Sequence, residues 1–237
     1  MRQKAEMIPT IKAEIIYKVF KSALLQIDSI LVEEKFDLSN SKGVFKIAVS
    51  DLGASFFIPF IYKKIKDIAP NLNLEVIQLD YKDIKNSILK GEVDLCIGNK
   101  IEELKDFFYE LILKDEYIGV ISSSQDFQEN KIKDYSFISI SSHAGHKQLE
   151  DWIKTNKLKN KLKLPNFNAI EYMIENENHI AIVPYTLTKK LNSEVKIIDL
   201  PLEFPKIEIV VYRSNNSLHP HLCKWISTEI NKHNWYY

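Results

Sequence analysis

The sequence predicts an α/β protein of two lobes, joined by two crossings of the chain and preceded by a long helix. Three patterns carry this. From Phe45 onward, short β-branched runs alternate with amphipathic stretches, as strands and helices do in an open sheet. A charged break, Lys114-Asp115-Glu116, separates two strand-like runs, and beyond it the alternation starts afresh. Pro201 and Pro205 bracket a second break before a last strong strand. The expected division is a linker or dimerisation helix over 1–36, one subdomain over 43–115 and 205–237, and a second over 116–204.

The first element spans residues 3–35. Ile8, Ile11, Ile15, Val19, Ala23, Ile27 and Ile30 recur every three or four positions, and Ile16, Phe20, Leu24 and Leu31 widen the stripe. Such a helix, about 30 residues and about 45 Å long, packs either on its own domain or on a helix of a second chain. The wide stripe favours the second chain. Pro9 starts or kinks it. Asp37 to Gly43, DLSNSKG, reads as a polar linker.

Strands follow at Phe45–Val49, Leu74–Leu79, Val93–Ile97, Tyr109–Leu113 and Tyr117–Ser122, with helices at Ser55–Ile68 and Tyr81–Leu89 between the first three. This alternation predicts a parallel sheet. In the second half, strands are expected at Phe137–Ile140, Lys161–Leu164, His179–Val183 and Val195–Leu200, with helices at His146–Thr155, Ala169–Glu175 and Thr186–Leu191. Lys206–Tyr212 is the returning strand, and His219 to Lys232 a closing amphipathic helix.

Composition narrows the function. Lysine plus arginine and aspartate plus glutamate both number 32, giving zero net charge. A module built to hold nucleic acid is basic, so DNA contact would have to come from a part this chain lacks. The two cysteines, Cys96 and Cys223, lie in apolar runs and read as buried, reduced thiols. The first residues are charged, without the apolar core of a signal peptide, and no run reaches the roughly 18 apolar residues that span a bilayer. The expected location is cytoplasmic, with no membrane association.

Catalytic patterns are weak. The six histidines form no His-Glu-x-x-His helix and the cysteines no Cys-x-x-Cys pair, so no metal is expected. Ser50-Asp51-Leu52-Gly53 sits at a strand–helix junction but lacks the glycines of a nucleophile elbow. No phosphate-binding glycine loop occurs, and no cofactor is expected. The lysines of 157–163 read as a solvated turn and edge strand. What remains is a binding cleft between two lobes, walled by strand ends and helix starts. Ser50, Asp51 and Ser55 lie on one wall, and Ser141, Ser142, His143, Pro184 and Tyr185 on the other. Each serine reads equally as a plain N-cap or as a ligand contact.

Several segments resemble the effector-binding domain of LysR-type transcriptional regulators. FKIAVSDLGASFFIPFIYKKIKDIAPNLNLEV carries the family's strand, polar turn, helix with internal proline and Pro-x-(Val/Leu)-x-(Leu/Val). Gly91, Val93, Asp94 and Leu95 follow its Gly-x-(Leu/Val)-Asp pattern. HIAIVP is similar to Gly-Ile-Ala-x-(Val/Leu)-Pro with His179 in place of glycine, and HPHLCKWISTEI to a closing Pro-x-x-x-x-Trp helix. KAEMIPTIKAEI resembles the start of the family's linker helix. The resemblance implies a type 2 periplasmic-binding-protein-like fold: two Rossmann-like subdomains joined by two crossover strands after a long N-terminal linker helix. It further implies a homodimer or homotetramer, and a small coinducer, carboxylate or aromatic, held between the subdomains. Carried over by position, the pocket falls on Ser50, Asp51 and Leu52, on Tyr81 where relatives often have a small hydroxyl residue, on Ser142 and His143, and on Pro184 and Tyr185. The family's helix-turn-helix precedes the linker helix and is not in this sequence, so DNA binding is expected only through that absent domain. A free-standing solute-binding protein of the same fold is the alternative, and an enzyme on the same framework a more distant one.

Overall fold

The structure, a computed structural model, describes residues 9–31, 37–141, 145–175, 178–192, 194–200 and 203–235. Helix α1, Ile11–Leu31, opens behind Thr10, whose Oγ1 accepts from the Ala13 N–H at 3.2 Å. Pro9 lies ahead of it, and the rest of the helix expected over 3–35 falls outside the described residues or, at 9–10, outside the helix. The side turned to the protein is polar. Ser22 is buried and donates to the Asn215 carbonyl at 3.0 Å, while Ile11, Ile15, Phe20, Leu24 and Ile27 stay exposed.

The first lobe contains β1 (Gly43–Val49), α2 (Asp51–Ile68), β2 (Leu72–Gln78), α3 (Ile84–Leu89), β3 (Leu95–Asn99) and β4 (Tyr109–Asp115). The chain crosses at Glu116 into β5 (Tyr117–Ser122), β6 (Ser136–Ile140), α4 (Lys147–Thr155), β7 (Asn160–Leu164), α5 (Ile170–Ile174), β8 (His179–Pro184), α6 (Tyr185–Thr188) and β9 (Val195–Ile198). It returns as β10 (Ile207–Arg213) and ends in α7 (Pro220–Lys232).

Both sheets have five strands, in the orders β2-β1-β3-β10-β4 and β7-β6-β8-β5-β9. The parallel sheet expected from the alternation is found only in part. β1 runs parallel to β2 and β3, and β6 to β7 and β8, but β10 is antiparallel to β3 and β4, and β5 to β8 and β9. The antiparallel members sit where the chain changes lobe. A strand arriving from the other sheet enters against the local direction, which βαβ alternation does not encode.

Several sequence-based boundaries move, and three of the shifts bear on the site. Helix α2 starts at Asp51 rather than Ser55, because Ser50 caps it and the expected polar turn is its first turn. Helix α3 starts at Ile84, leaving Tyr81 in the turn before it, and α6 starts at Tyr185, directly after β8.

Strands at the sheet centres are buried on both faces, so they read as unbroken apolar runs. Successive β1 residues serve opposite layers. Phe45, Ile47 and Val49 pack with Phe57, Ile61 and Ile65 of α2 and with Leu222, Ile226 and Ile230 of α7, whereas Ala48 meets Ile84 and Ile88 of α3. In the second lobe Phe137 and Ile180 face Leu149 and Ile153 of α4, and Ile138 and Ala181 face Ile170 and Ile174 of α5. The lysine-rich 157–163 runs into β7, an edge strand, and Lys163 pairs with Glu150 at 2.7 Å.

Candidate functional site

Both sheets end on one gap. On the first wall β1 stops at Val49 and α2 begins at once, with Ser50 Oγ accepting from the Gly53 N–H at 3.1 Å. Beside it β3 closes on Ile97, Gly98 and Asn99. The opposite wall is His146, ahead of α4, with Pro184 and Thr186 where β8 turns into α6. Leu113, Asp115, Ile207 and Ile209, on the two strands that connect the lobes, complete the lining with Phe56, Phe57 and Trp235. About 610 Å³ of empty space lies between them, part of it open to solvent. Strand ends meeting helix starts across a crevice are where open α/β sheets take ligands.

Polar contacts tie the walls together. Asn99 Nδ2 donates to the Gly145 carbonyl across the gap at 2.7 Å, and the Asn99 N–H donates to the Tyr81 hydroxyl at 2.5 Å. The Tyr81 ring sits between Gly98 and Gly145, where a Cβ on either glycine would strike it; Gly145 also holds φ at +86°. Burial pushes the Tyr81 hydroxyl well above its usual range, so it stays protonated. On the far side Asp115 accepts from Thr186 Oγ1 at 2.6 Å and from the Glu116 N–H at 2.8 Å. Tyr117 Oη lies 2.6 Å from His146 Nδ1, and burial holds the imidazole down to about 4, so it is neutral near pH 7.

The residues singled out from the sequence divide. Ser50, Leu52 and Pro184 line the cavity. Asp51 flanks it and accepts from the Phe167 N–H of the other lobe at 3.4 Å. Tyr81 stands behind it, locked between the glycines. Ser55 does not face the cavity: it is exposed, and its hydroxyl turns back to the Leu52 carbonyl at 2.8 Å, because the earlier start of α2 carries it onto the outer face. Tyr185 also points elsewhere, half its surface in solvent and its side chain on a separate open hollow with Lys189 and Lys206. Ser142 and His143 lie outside the described residues.

Asn99, Asp115, His146 and Thr186 supply much of the polar lining, and sequence reading did not select them for it. Asp115 was legible only as part of the charged break, and His146 and Thr186 as the expected starts of helices. Nothing local marks Asn99, whose role depends on a residue 46 positions away.

The described lining suits the binding of a small molecule. Among the described residues no group of three His, Cys, Asp or Glu could hold a metal ion. Cys96 and Cys223 are buried, and burial pushes both thiols up. Ser50 is committed to capping. An apolar cleft with a few placed polar groups between two lobes defines a ligand-binding protein of the periplasmic-binding-protein-like type 2 fold.

Within that class the chain belongs to the LysR substrate binding domain family, whose model matches residues 39–234. It is 21% identical over 164 residues to the HTH-type transcriptional activator NagR of Ralstonia, covering 66% of this chain and 54% of that protein. It is 23% identical over 220 residues to Nodulation protein D of Rhizobium leguminosarum bv. trifolii, covering 85% and 67%. The chain thus spans about half the length of the first of these relatives. The fold is similar to a probable transcriptional regulator from Pseudomonas aeruginosa (TM-score 0.72, 16% identity, 99% of this chain and 81% of that one). It is also similar to the reduced regulatory domain of OxyR2 from Vibrio vulnificus (TM-score 0.68, 15% identity, 85% and 99%). Among the described residues no helix is long and apolar enough to cross a membrane.

Proposed function

We propose that this chain is the effector-sensing and oligomerisation portion of a LysR-type transcription regulator, working in the cytoplasm and not as an enzyme. The observation that carries the reading is the cavity itself. It takes residues from both lobes, so a small molecule bound there has different contacts in open and closed arrangements and can shift their balance. The moving units are 43–115 with 205–237 against 116–204. DNA is contacted by a helix-turn-helix of the kind named in the relatives, not by this neutral chain.

Helix α1 supports the oligomer, a homodimer or homotetramer. Among its described side chains Ser22 is buried while Ile11, Ile15, Ile16, Val19, Phe20, Leu24 and Ile27 are exposed, the reverse of a helix packed on its own domain. Calorimetric titration with small aromatic and aliphatic compounds tests the sensor. Saturable binding that Leu52→Trp abolishes is expected, and binding unaffected by that block would remove the cavity from the account.

A further inference from the structure

Resting on the receptor reading of this cavity, we infer that Trp235 contacts the apolar part of the effector, which makes the segment beyond the last helix part of the binding site. Helix α7 ends at Lys232, and the chain then turns back on α2. The Trp235 ring meets Phe57 at 4.7 Å and Phe60 at 5.3 Å between centroids, both edge-on, with the His233 ring 4.4 Å away. Its Nε1 donates to the Ile230 carbonyl at 2.9 Å, one of the acceptors that the end of a helix leaves without a partner of its own. These ring contacts and this bond together fix where the indole stands.

Core packing alone does not account for that position. Leu222, Ile226 and Ile230 of α7 are already buried in the cluster that holds Phe57 and Ile61 of α2. Trp235 is only partly buried, and it lines the cavity beside Phe56 and Phe57. A tryptophan has one N–H to donate, and the Ile230 carbonyl takes it. What Trp235 offers a ligand is therefore aromatic surface, which binds the apolar part of a small molecule whatever polar group that molecule carries. The other two tryptophans stand elsewhere. Trp225, the tryptophan of the closing helix motif, packs against the first lobe's core, and Trp152 lies on Phe204 at 4.6 Å; neither is in the lining.

Three tryptophans give three indole N–H signals, and the test reads them separately. A panel of small aromatic compounds, beginning with benzoate, benzamide and phenol so that no charge is presupposed, is titrated into isotope-labelled protein. Trp152→Phe, Trp225→Phe and Trp235→Phe assign the signals. The Trp235 signal should move saturably with the calorimetric isotherm, and the other two much less. Trp235→Ala should weaken the tightest probe about tenfold, Trp235→Phe should keep most of the affinity, and Trp225→Phe should leave it unchanged; melting curves establish that the variants fold. A probe whose binding Leu52→Trp abolishes, yet which leaves the Trp235 signal still or binds Trp235→Ala as tightly as the unaltered protein, would overturn the inference while leaving the receptor reading intact. Silence from the whole panel would remove both.

Discussion

Lys190 Nζ meets the Ser55 carbonyl at 2.9 Å, across the gap between the lobes. That carbonyl is free because Pro59, four residues on in α2, has no N–H to give it. The proline inside the helix thus leaves an acceptor on its outer face, and the second lobe supplies the donor. Lys190 also lies over the Phe56 ring, so one side chain makes two contacts with the first lobe.

Lys190→Ala should loosen the lobes without unfolding either. The contact is exposed, so the loss of stability is small, about 1 kcal/mol or less. Small-angle scattering should register a larger radius of gyration at an almost unchanged melting temperature. An unchanged radius would mean that this contact does not hold the gap.

Gly145→Ala should be costly. The backbone there has φ of +86°, and a Cβ would run into the Tyr81 ring. Positive φ alone costs a non-glycine residue roughly 1–3 kcal/mol. Urea unfolding should show a loss of about that size, and Gly145→Ala combined with Tyr81→Ala should recover the part due to collision while keeping the part due to φ.

Asp94 holds the first lobe together. Its carboxylate accepts from the Lys46 N–H at 2.7 Å and from the Ser217 hydroxyl at 2.5 Å, and its own carbonyl accepts from the Ser214 N–H. Asp94→Ala leaves two buried donors unmatched and should cost about 2–4 kcal/mol. Asp94→Asn, which keeps an acceptor oxygen, should cost less. Equal losses in denaturant titrations would contradict this account.

Acid should weaken the fold in two stages. His146, held down to about 4 by burial, takes up a proton between its ordinary 6.5 and 4 only in the unfolded chain. Stability is therefore flat above pH 6.5, falls as pH drops from 6.5 to 4, and levels off below; the full effect is about 3 kcal/mol. Glu150, lowered to about 2 by its bonds to Lys163 and Lys154, adds a second loss as pH falls from 4.5 toward 2. Denaturant midpoints across pH 3–8 should show both, and His146→Phe should remove the upper stage alone.

Ile15→Lys with Ile27→Lys should abolish self-association through α1 and leave the lobes folded. Both side chains are largely exposed in the single chain, so only a partner's surface would bury the new charges. Sedimentation velocity should show a smaller species with an unaltered circular dichroism spectrum. A species of unchanged size would rule out pairing through this helix.

The sequence carried the elements well wherever the deciding forces were local. Phe45–Val49 and Tyr117–Ser122 are strands because apolar runs buried on both faces have no other use; Pro70 ends a helix because it has no N–H to continue one, and Gly91 because it takes the left-handed φ of +63°. The family resemblance likewise rested on short ordered motifs, and Asp94, at the heart of one of them, has a structural duty. The cavity was legible only in outline. Ser50 and Pro184 were reachable from strand–helix junctions and Leu52 only from the family resemblance, but a four-residue error in the start of α2 was enough to send Ser55 to the wrong face.

By itself the sequence determined two α/β lobes, their crossings near Glu116 and Pro205, and a helix ahead of them, since periodicity and backbone restrictions act over a few residues. The tertiary structure alone decided that β5 and β10 run against their neighbours. It also decided that Tyr81 is clamped by two glycines, that Asn99 reaches Gly145, and that Asp115 and Thr186 share the lining. Each of these depends on residues far apart in the chain, brought together only when the sheets pack, and no local pattern records such a meeting.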